Sequence, residues 1–239
     1  MPRKPRELEV GRMYHIVNRG VEKRNIFLRS QDYSRFILGL EFFNNESSSH
    51  LWDILARGQA GTAPTLAQRI ETMRQKPRKR IVDLLAFALM PNHYHLIVHE
   101  VTEGGISLFM RKLGGYSMYF NKQYNRVGPL FQSRYRGVPV QSDEQLAVVF
   151  AYVHTNPIEL TEPKWKERKV KDRLGALEKL EEYRWSSYRD YTGIATFPQV
   201  TQREFFTNFY GSKEKCRQAI KDWIAYKAMG AQFGSEIIE

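Results

Sequence analysis

The chain has 239 residues, of which 42% are hydrophobic, so it is long and apolar enough to bury a sizeable core. It carries a formal net charge of +11 and one cysteine, Cys216, which excludes an internal disulfide framework and a thiolate-rich metal cluster. The basic N-terminal stretch is followed by no apolar run of the length that a signal peptide or a membrane span requires, so we expect a cytoplasmic protein.

The N-terminal half predicts a strand, a helix and then two strands. An aromatic and β-branched run that ends at a glycine is typical of a strand, and apolar residues at helical spacing follow it, with Ser30 as the predicted N-cap. Pro91-Asn92 predicts a turn between two apolar runs. The predicted elements are a strand at 12–20, a helix at 30–45, an insertion at about 46–80, and strands at 81–90 and 93–101.

The C-terminal half predicts mostly helices. Gly114-Gly115 weakens the first of them, and Pro139 gives the strand that follows an edge position. Ser142 is the predicted cap of the next helix, which Pro157 ends. The predicted elements are a helix at 105–125, a strand at 135–140, a helix at 142–157, a charged helical segment at 164–182, an aromatic connector at 183–193 and a helical tail.

The order strand–helix–strand–strand–helix–strand is that of a ferredoxin-like split βαβ core. We therefore predict an α+β fold, with an antiparallel sheet that has helices on one face, plus extra C-terminal helices. Residues 1–160 would form the core domain, and residues 161–239 a helical extension packed on or beside it.

Two histidines stand one residue apart in an apolar run, "MPNHYHLIVHE". Side chains alternate along a strand, so His93 and His95 share one face and can direct two imidazoles at one point. Neutral imidazole binds divalent transition metals, and two protein ligands leave coordination positions open, as in a catalytic site. His-x-His alone is a weak signal, because surface histidines without a metal are more common.

A second pair of polar residues lies near the end of the 142–157 helix. Tyr152 and Asn156 are four residues apart and therefore share a face of that helix. An asparagine carbonyl oxygen can serve as a third metal ligand, and a tyrosine can act as a covalent nucleophile. Read without the histidines, Tyr152 would more simply fill the core and Asn156 would end the helix.

The segment from Gly104 to Ser142 has no acidic residue, and its basic residues alternate with tyrosine and phenylalanine. Cations neutralise phosphates and aromatic faces stack on unpaired bases, so this mixture favours single-stranded nucleic acid. The alternative is a solvated basic helix with its aromatic residues in the core. Two more arginines lie in or just after the first strand. The candidate DNA-binding residues are Arg19, Arg24, Lys122, Arg126, Arg134 and Arg136.

Five motifs together resemble one family. "PNHYHLIV" resembles the His–hydrophobic–His signature of the HUH single-strand nucleases, and the other four occur in the order of the single-tyrosine transposases of that group. Within the group the chain looks most like the REP-associated tyrosine transposases, over roughly residues 11–193. The other motifs are "NRGVEKRNIF" (18–27), "YNRVGPLFQSRY" (124–135), "YVHTNP" (152–157) and "WSSYRDY" (185–191).

The resemblance implies a metal-dependent enzyme that cleaves and rejoins single-stranded DNA next to hairpins. It assigns the metal ligands to His93, His95 and Asn156, the nucleophile to Tyr152, and the cofactor to Mg²⁺ or Mn²⁺. The product would be a 5′-phosphotyrosine with a free 3′-hydroxyl, and the enzyme would work as a monomer or a homodimer.

Two other classes of protein remain open. The first is a catalytically silent regulator that binds DNA or RNA hairpins with the same fold. The second is a structural zinc protein, which would need four ligands. The complete set of His93, His95, Tyr152 and Asn156 favours the enzyme over the regulator, and the sequence shows no evident fourth ligand for structural zinc.

Overall fold

The computed structural model describes residues 8–47, 65–163, 165 and 172–228. Its strands are β1 (Met13–Arg19), β2 (Val82–Met90), β3 (His93–Glu100) and β4 (Arg136–Pro139). They form an antiparallel sheet in the order β2-β3-β1-β4. Because β3 lies between β1 and β2, and β1 lies between β3 and β4, two split βαβ units interlock. The predicted α+β, ferredoxin-like fold is confirmed, and β4 occupies the predicted edge.

The helices join and follow these strands. They are α1 (Ser30–Phe42), α2 (Leu66–Arg74), α3 (Gly105–Leu113), α4 (Tyr116–Gln123), α5 (Asp143–Thr155), α6 (Arg173–Glu182), α7 (Tyr188–Tyr191), α8 (Arg203–Tyr210) and α9 (Lys213–Ala228). None of the helices in the described ranges is long and apolar enough to cross a bilayer. Parts of three predicted segments lie outside the described residues, namely residues 48–64 of the insertion, residues 164 and 166–171 of the charged helix, and residues 229–239 of the helical tail.

Two helix predictions were wrong in detail. Arg29, and not Ser30, is the N-cap of α1, because the Asp32 carboxylate reaches back to accept the backbone N–H groups of Leu28 and Arg29 at 2.8 and 2.9 Å. The predicted helix at 105–125 is two helices, which meet at Gly114-Gly115. There the N–H of Gly115 bonds to the carbonyl of Lys112, three residues back, in the tighter 3₁₀ pattern.

The two faces of the sheet carry different helices. On one face, α3 packs against β2 and β3, and α1 packs against α3 and α4, around a core that includes Ile16 and Leu96. On the other face, α5 packs against β2 and β3 around Ile97 and Val153. The predicted one-sided arrangement therefore describes α1, α3 and α4, whereas α5 and the helices after it cover the opposite side.

Helix α5 begins and ends where its sequence indicates. The Ser142 hydroxyl accepts the backbone N–H of Gln145 at 3.2 Å, and acidic residues occupy the first turn, where the helix dipole is positive. The helix ends at Thr155, and the chain continues as a 3₁₀ turn at Asn156–Leu160 that contains Pro157. This end of α5 brings Tyr152 onto the sheet.

The C-terminal part of the chain packs on the core at two places. Helix α9 packs against α5, and α8 packs against β2. Ahead of α7, Ser186 forms a bridge with Ala88, and the backbone N–H of Leu89 donates to the carbonyl of Trp185 at 2.9 Å. The predicted aromatic connector thus runs alongside the outer edge of β2.

Candidate functional site

The two histidines of β3 lie side by side on the face that α5 covers. Their ring centroids are 4.9 Å apart at an interplanar angle of 82°, and both side chains are buried. The alternation that predicts a shared face therefore holds for His93 and His95. His99, further along the same face, lies with its Nδ1 atom 3.6 Å from the carboxylate of Asp83.

A hydrogen bond to Asn92 fixes the proton of His93. The Nδ1 atom of His93 lies 2.6 Å from the amide oxygen of Asn92, and the amide nitrogen of Asn92 donates to the carbonyl of Lys23 at 3.2 Å. The second bond sets the orientation of the amide, and an amide oxygen can only accept. The His93 ring therefore donates through Nδ1, which puts the lone pair of the neutral ring on Nε2.

A third histidine, His15 of β1, belongs to this site and is absent from the sequence predictions. Its Nε2 atom lies 2.9 Å from Nδ1 of His95, and the two rings stack with centroids 5.1 Å apart. The register aligns His15 with Ile97 and Val17 with His95, so His15 and His95 are diagonal neighbours on one face. Alternation along "RMYHIVNR" could have shown that His15 shares a face with Val17, but only the register joins that face to His95.

His15 is neutral at physiological pH. Burial, and to a smaller extent the charge of the Arg136 guanidinium, lowers its pKa to about 4. A neutral imidazole can accept a hydrogen bond at one nitrogen, whereas a protonated one donates at both. The contact between His15 and His95 therefore contains one shared proton, which either ring can supply.

Tyr152 approaches the histidines from α5. Its ring meets His95 edge-on with centroids 5.4 Å apart, and it meets His15 at 5.8 Å. Only 8% of Tyr152 is exposed. One turn later, the buried amide of Asn156 donates through Nδ2 to the Tyr152 carbonyl at 2.9 Å. The structure thus joins Tyr152 to the histidines, but Asn156 is not among the residues that line the cavity beside them.

That cavity has a volume of about 210 Å³ and is basic. Val17 pairs with both His95 and Arg136 across the sheet, and opposed residues share a face, so Arg136 and Arg19 point to the side of the histidines. None of its lining residues in the described part of the chain is acidic. The residues that line it include His95, Tyr152, Asn18, Arg19, Arg134 and Arg136.

Arg134 also borders a second, larger cavity of about 780 Å³. This cavity lies between the sheet and α3, and the aromatic residues Tyr94, Phe131 and Tyr135 line it together with Arg111. Tyr94 follows His93 in sequence but points to the opposite face of the sheet. The segment that contains Arg134 therefore separates the cavity at the histidines from an aromatic, basic cavity on the other side.

The other predicted DNA-binding residues lie elsewhere. Arg24 pairs with Glu22 at 3.3 Å. Arg126 donates to the carbonyls of Gly128 and Pro129 at 3.3 and 2.6 Å, so its guanidinium closes a loop. Lys122 is exposed on α4 and lines neither cavity. Of the predicted set, Arg19, Arg134 and Arg136 are the residues that the fold brings to Tyr152.

Three tyrosines of the segment without acidic residues, Tyr116, Tyr119 and Tyr124, are hydrogen-bonded at the core on the opposite face of the sheet. The Tyr116 hydroxyl donates to the Ile26 carbonyl at 2.6 Å, and the Tyr119 and Tyr124 hydroxyls donate to the Asp32 carboxylate at 3.1 and 2.7 Å. Burial raises the pKa of Tyr119 to about 12, and the Asp32 charge acts in the same direction. The Tyr119 and Tyr124 phenols therefore hold α4 against α1.

The donor set at the histidines fits a divalent ion with an open coordination shell. Each imidazole has its Nδ1 in a hydrogen bond to a neighbouring side chain, which is the usual second contact of a metal-binding histidine. Within the described residues, no group of three or more His, Cys, Asp or Glu side chains could hold a metal. A closed structural zinc site therefore has no support in this part of the chain.

One family model matches the part of the chain that contains these residues. Residues 51–156 match the model of the family described as Transposase IS200 like, which covers both histidines, Tyr152 and Asn156. This match agrees with the family that the motifs resemble, over the part of the chain that it covers.

One solved structure is similar, and it is described as the REP-associated tyrosine transposase bound to a REP hairpin. The identity is 13% and the TM-score 0.47, over 84% of this chain and 94% of that chain. No curated protein matches.

Proposed function

We propose that this transposase cleaves and rejoins single-stranded DNA beside hairpins through a 5′-phosphotyrosine intermediate on Tyr152. The observation that carries the proposal is the edge-on contact of Tyr152 with His95, at a cavity lined by three arginines. A phenol, a pair of imidazoles and cationic side chains meet there. Nucleophile, metal ligands and phosphate-binding groups are the parts that a phosphoryl transfer needs.

In the proposed reaction, the Tyr152 oxygen attacks the scissile phosphorus. The bond from phosphorus to the tyrosine oxygen forms as the bond to the 3′-oxygen breaks, and the phenolic proton is given up as the 3′-oxygen gains one. The phosphodiester energy is conserved, so a strand with a free 3′-hydroxyl can reverse the step without ATP. Arg19, Arg134 and Arg136 would hold the negative phosphate and the developing charge.

His93 and His95 would hold a Mg²⁺ or Mn²⁺ ion through their Nε2 atoms, with the Asn156 side-chain oxygen as a proposed third ligand. A bound divalent ion neutralises charge on a phosphate and favours attack by a weak nucleophile. The chain contributes orientation, since Asn92 and His15 hold the two imidazole rings at their Nδ1 atoms.

The proposed substrate is an unpaired strand beside a DNA hairpin. The cavity at Tyr152 is basic, and the aromatic cavity on the other side of Arg134 offers surfaces on which unpaired bases can stack. We propose a DNA hairpin beside this unpaired strand because the sequence motifs resemble those of the REP-associated transposases. We propose a monomer or a homodimer as the working unit.

A catalytically silent hairpin-binding regulator is the alternative. Such a protein would use the same arginines, but it would gain nothing from a tyrosine packed against a pair of histidines. The position of Tyr152 therefore favours the enzyme.

The test is covalent capture. The protein is incubated with a panel of single-stranded DNA hairpins with flanking tails, with Mn²⁺, Mg²⁺ or EDTA, and analysed by denaturing electrophoresis. An adduct that resists SDS and requires the metal is expected, together with a released strand that ends in a 3′-hydroxyl. Tight hairpin binding without an adduct on any substrate would identify the silent regulator instead.

A further inference from the structure

His15 lies next to His95 and is almost completely enclosed. It is 1% exposed, its Nε2 atom is 2.9 Å from Nδ1 of His95, and its ring stacks on the His95 ring at an interplanar angle of 16°. Its other nitrogen, Nδ1, has no hydrogen-bond partner among the described residues. The His95 nitrogen is thus the one hydrogen-bond partner that this part of the chain gives to His15.

The shared proton decides which nitrogen of His95 can bind a metal. If His95 donates through Nδ1, its lone pair is on Nε2, which is available as a ligand atom. If His15 donates through Nε2, then Nδ1 of His95 accepts and Nε2 carries the proton. In that tautomer neither nitrogen of His95 can bind an ion while the contact with His15 is kept.

His93 indicates which of these two tautomers His95 adopts. His93 meets an amide oxygen, Asn92 Oδ1, at the same ring position, and that oxygen can only accept. Both imidazoles of β3 are therefore held at Nδ1 by a side chain from outside the strand, one by an obligate acceptor and the other by His15.

We propose that His15 is a positioning residue that accepts the Nδ1 hydrogen of His95 and so keeps Nε2 of His95 as the metal-binding nitrogen. The inference rests on the proposed function in one respect, namely that His95 is a metal ligand. His15 also touches the Tyr152 ring at a centroid distance of 5.8 Å, so the same side chain holds the ligand and the nucleophile at a fixed separation. It would contact neither the ion nor the DNA.

The experiment compares His15→Gln with His15→Phe. Glutamine places an amide oxygen near the position of Nε2 and can accept from His95, whereas phenylalanine keeps a ring in the stack but accepts nothing. Mn²⁺ alone is titrated into the protein without DNA, and the free ion is followed by electron paramagnetic resonance. We expect His15→Phe to lose roughly 10- to 100-fold in Mn²⁺ affinity, as loss of an outer hydrogen-bond partner typically does, and His15→Gln to recover most of it.

The tautomer is measured directly in the metal-free protein. Long-range ¹H–¹⁵N spectra of the histidine rings should show His95 protonated at Nδ1 in the wild type and in His15→Gln, and a mixture of tautomers in His15→Phe. A role in packing alone would not change the tautomer. The wild-type spectrum tests the inference even if His15→Phe fails to fold.

His99→Phe is the matched control, because it replaces a histidine on the same face of β3 that contacts Asp83. It should leave the affinity for Mn²⁺ unchanged. Wild-type His95 protonated at Nε2, or equal Mn²⁺ affinity in the wild type and His15→Phe, or equal losses in His15→Phe and His99→Phe, would each overturn the inference. None of these measurements uses DNA, so a wild type that binds Mn²⁺ as expected but forms no adduct would refute the proposed function alone.

Discussion

The ring of Tyr152 meets the ring of His95 edge-on, at 87° and with 5.4 Å between the centroids, although the two residues are far apart in sequence. Helix α5 makes this contact by crossing the face of the sheet that α1, α3 and α4 leave open. The contact places one phenol, out of the 13 tyrosines of the chain, at the histidine pair.

The first prediction concerns this phenol. Tyr152→Phe removes one oxygen and keeps the ring contacts, so the loss of stability should be below about 1.5 kcal/mol. The variant should bind Mn²⁺ and hairpin DNA but form no covalent adduct. Tyr119→Phe is the control, since its hydroxyl bonds to Asp32 on the opposite face. Mass spectrometry of the trapped complex would contradict the assignment by finding the 5′-phosphate on another tyrosine.

A second prediction concerns the metal. His93→Ala removes one proposed ligand and should lower the affinity for Mn²⁺ by more than the roughly 10- to 100-fold expected for an outer-shell partner, with cleavage lost in parallel. His99→Ala, on the same strand face, should keep both properties. Calorimetric titration with Mn²⁺ and the adduct assay check this. Cleavage at the wild-type rate in EDTA would rule out a metal requirement.

A third prediction concerns Arg134 and Arg126, both of which the sequence predicts to bind DNA. Arg134 lines the cavity beside Tyr152, whereas Arg126 closes a loop through the carbonyls of Gly128 and Pro129. Arg134→Ala should weaken single-stranded DNA binding and reduce the salt slope by about 0.7 for each lost phosphate contact. Arg126→Ala should change the thermal stability more than the salt slope. Fluorescence anisotropy at several salt concentrations distinguishes the two effects, and identical slopes in both variants would count against the cavity as the DNA site.

A fourth prediction follows from His154, which points away from Tyr152. Its Nδ1 donates to the Phe150 carbonyl at 2.9 Å, and its Nε2 lies 2.8 Å from the Ser187 hydroxyl. Burial lowers its pKa to about 3, although the bond to Phe150 opposes this. The unfolded chain takes up the proton near pH 6.5 and the folded chain does not, so the stability present above pH 6.5 should fall as the pH falls towards 3.

The slope of that loss is limited to about 1.4 kcal/mol per pH unit for one histidine. Urea denaturation between pH 7.5 and 4.5 measures it, since the free energy of unfolding should decrease steadily over this range. His154→Gln, which can keep one of the two hydrogen bonds, should give a flatter dependence. An equally steep dependence in that variant would assign the effect to other groups, such as His15, whose pKa burial also lowers.

The sequence predicts those features that depend on neighbours along the chain. The strand bounds, the shared face of His93 and His95, and the cap at Ser142 follow from alternation and from capping chemistry over a few residues. Gly114-Gly115 is a local signal of the same kind, but spacing alone does not tell a weakened helix from two helices.

Other features depend on the sheet register and could not be predicted. His15 reaches His95 because β1 pairs with β3, and Arg136 joins the cavity because β4 pairs with β1 opposite Val17. The spacing of residues along the sequence does not predict which strands pair or in which register. Arg126 resembled a DNA-binding residue for a different reason, because its place in a basic segment does not show whether the guanidinium faces solvent or turns to the carbonyls of Gly128 and Pro129.

The backbone that runs beside β2 also covers this edge of the sheet. The N–H of Leu89 and the carbonyl of Phe87 are bonded to Trp185 and Ser187 of the same chain. The unpaired backbone groups of an open strand edge can bond to a strand of another molecule. Here residues of the same chain occupy those groups. A chain that ended before Trp185 would lose this cover and expose an apolar strand, so the C-terminal part of the protein protects the sheet from pairing with a neighbour as well as supporting α5.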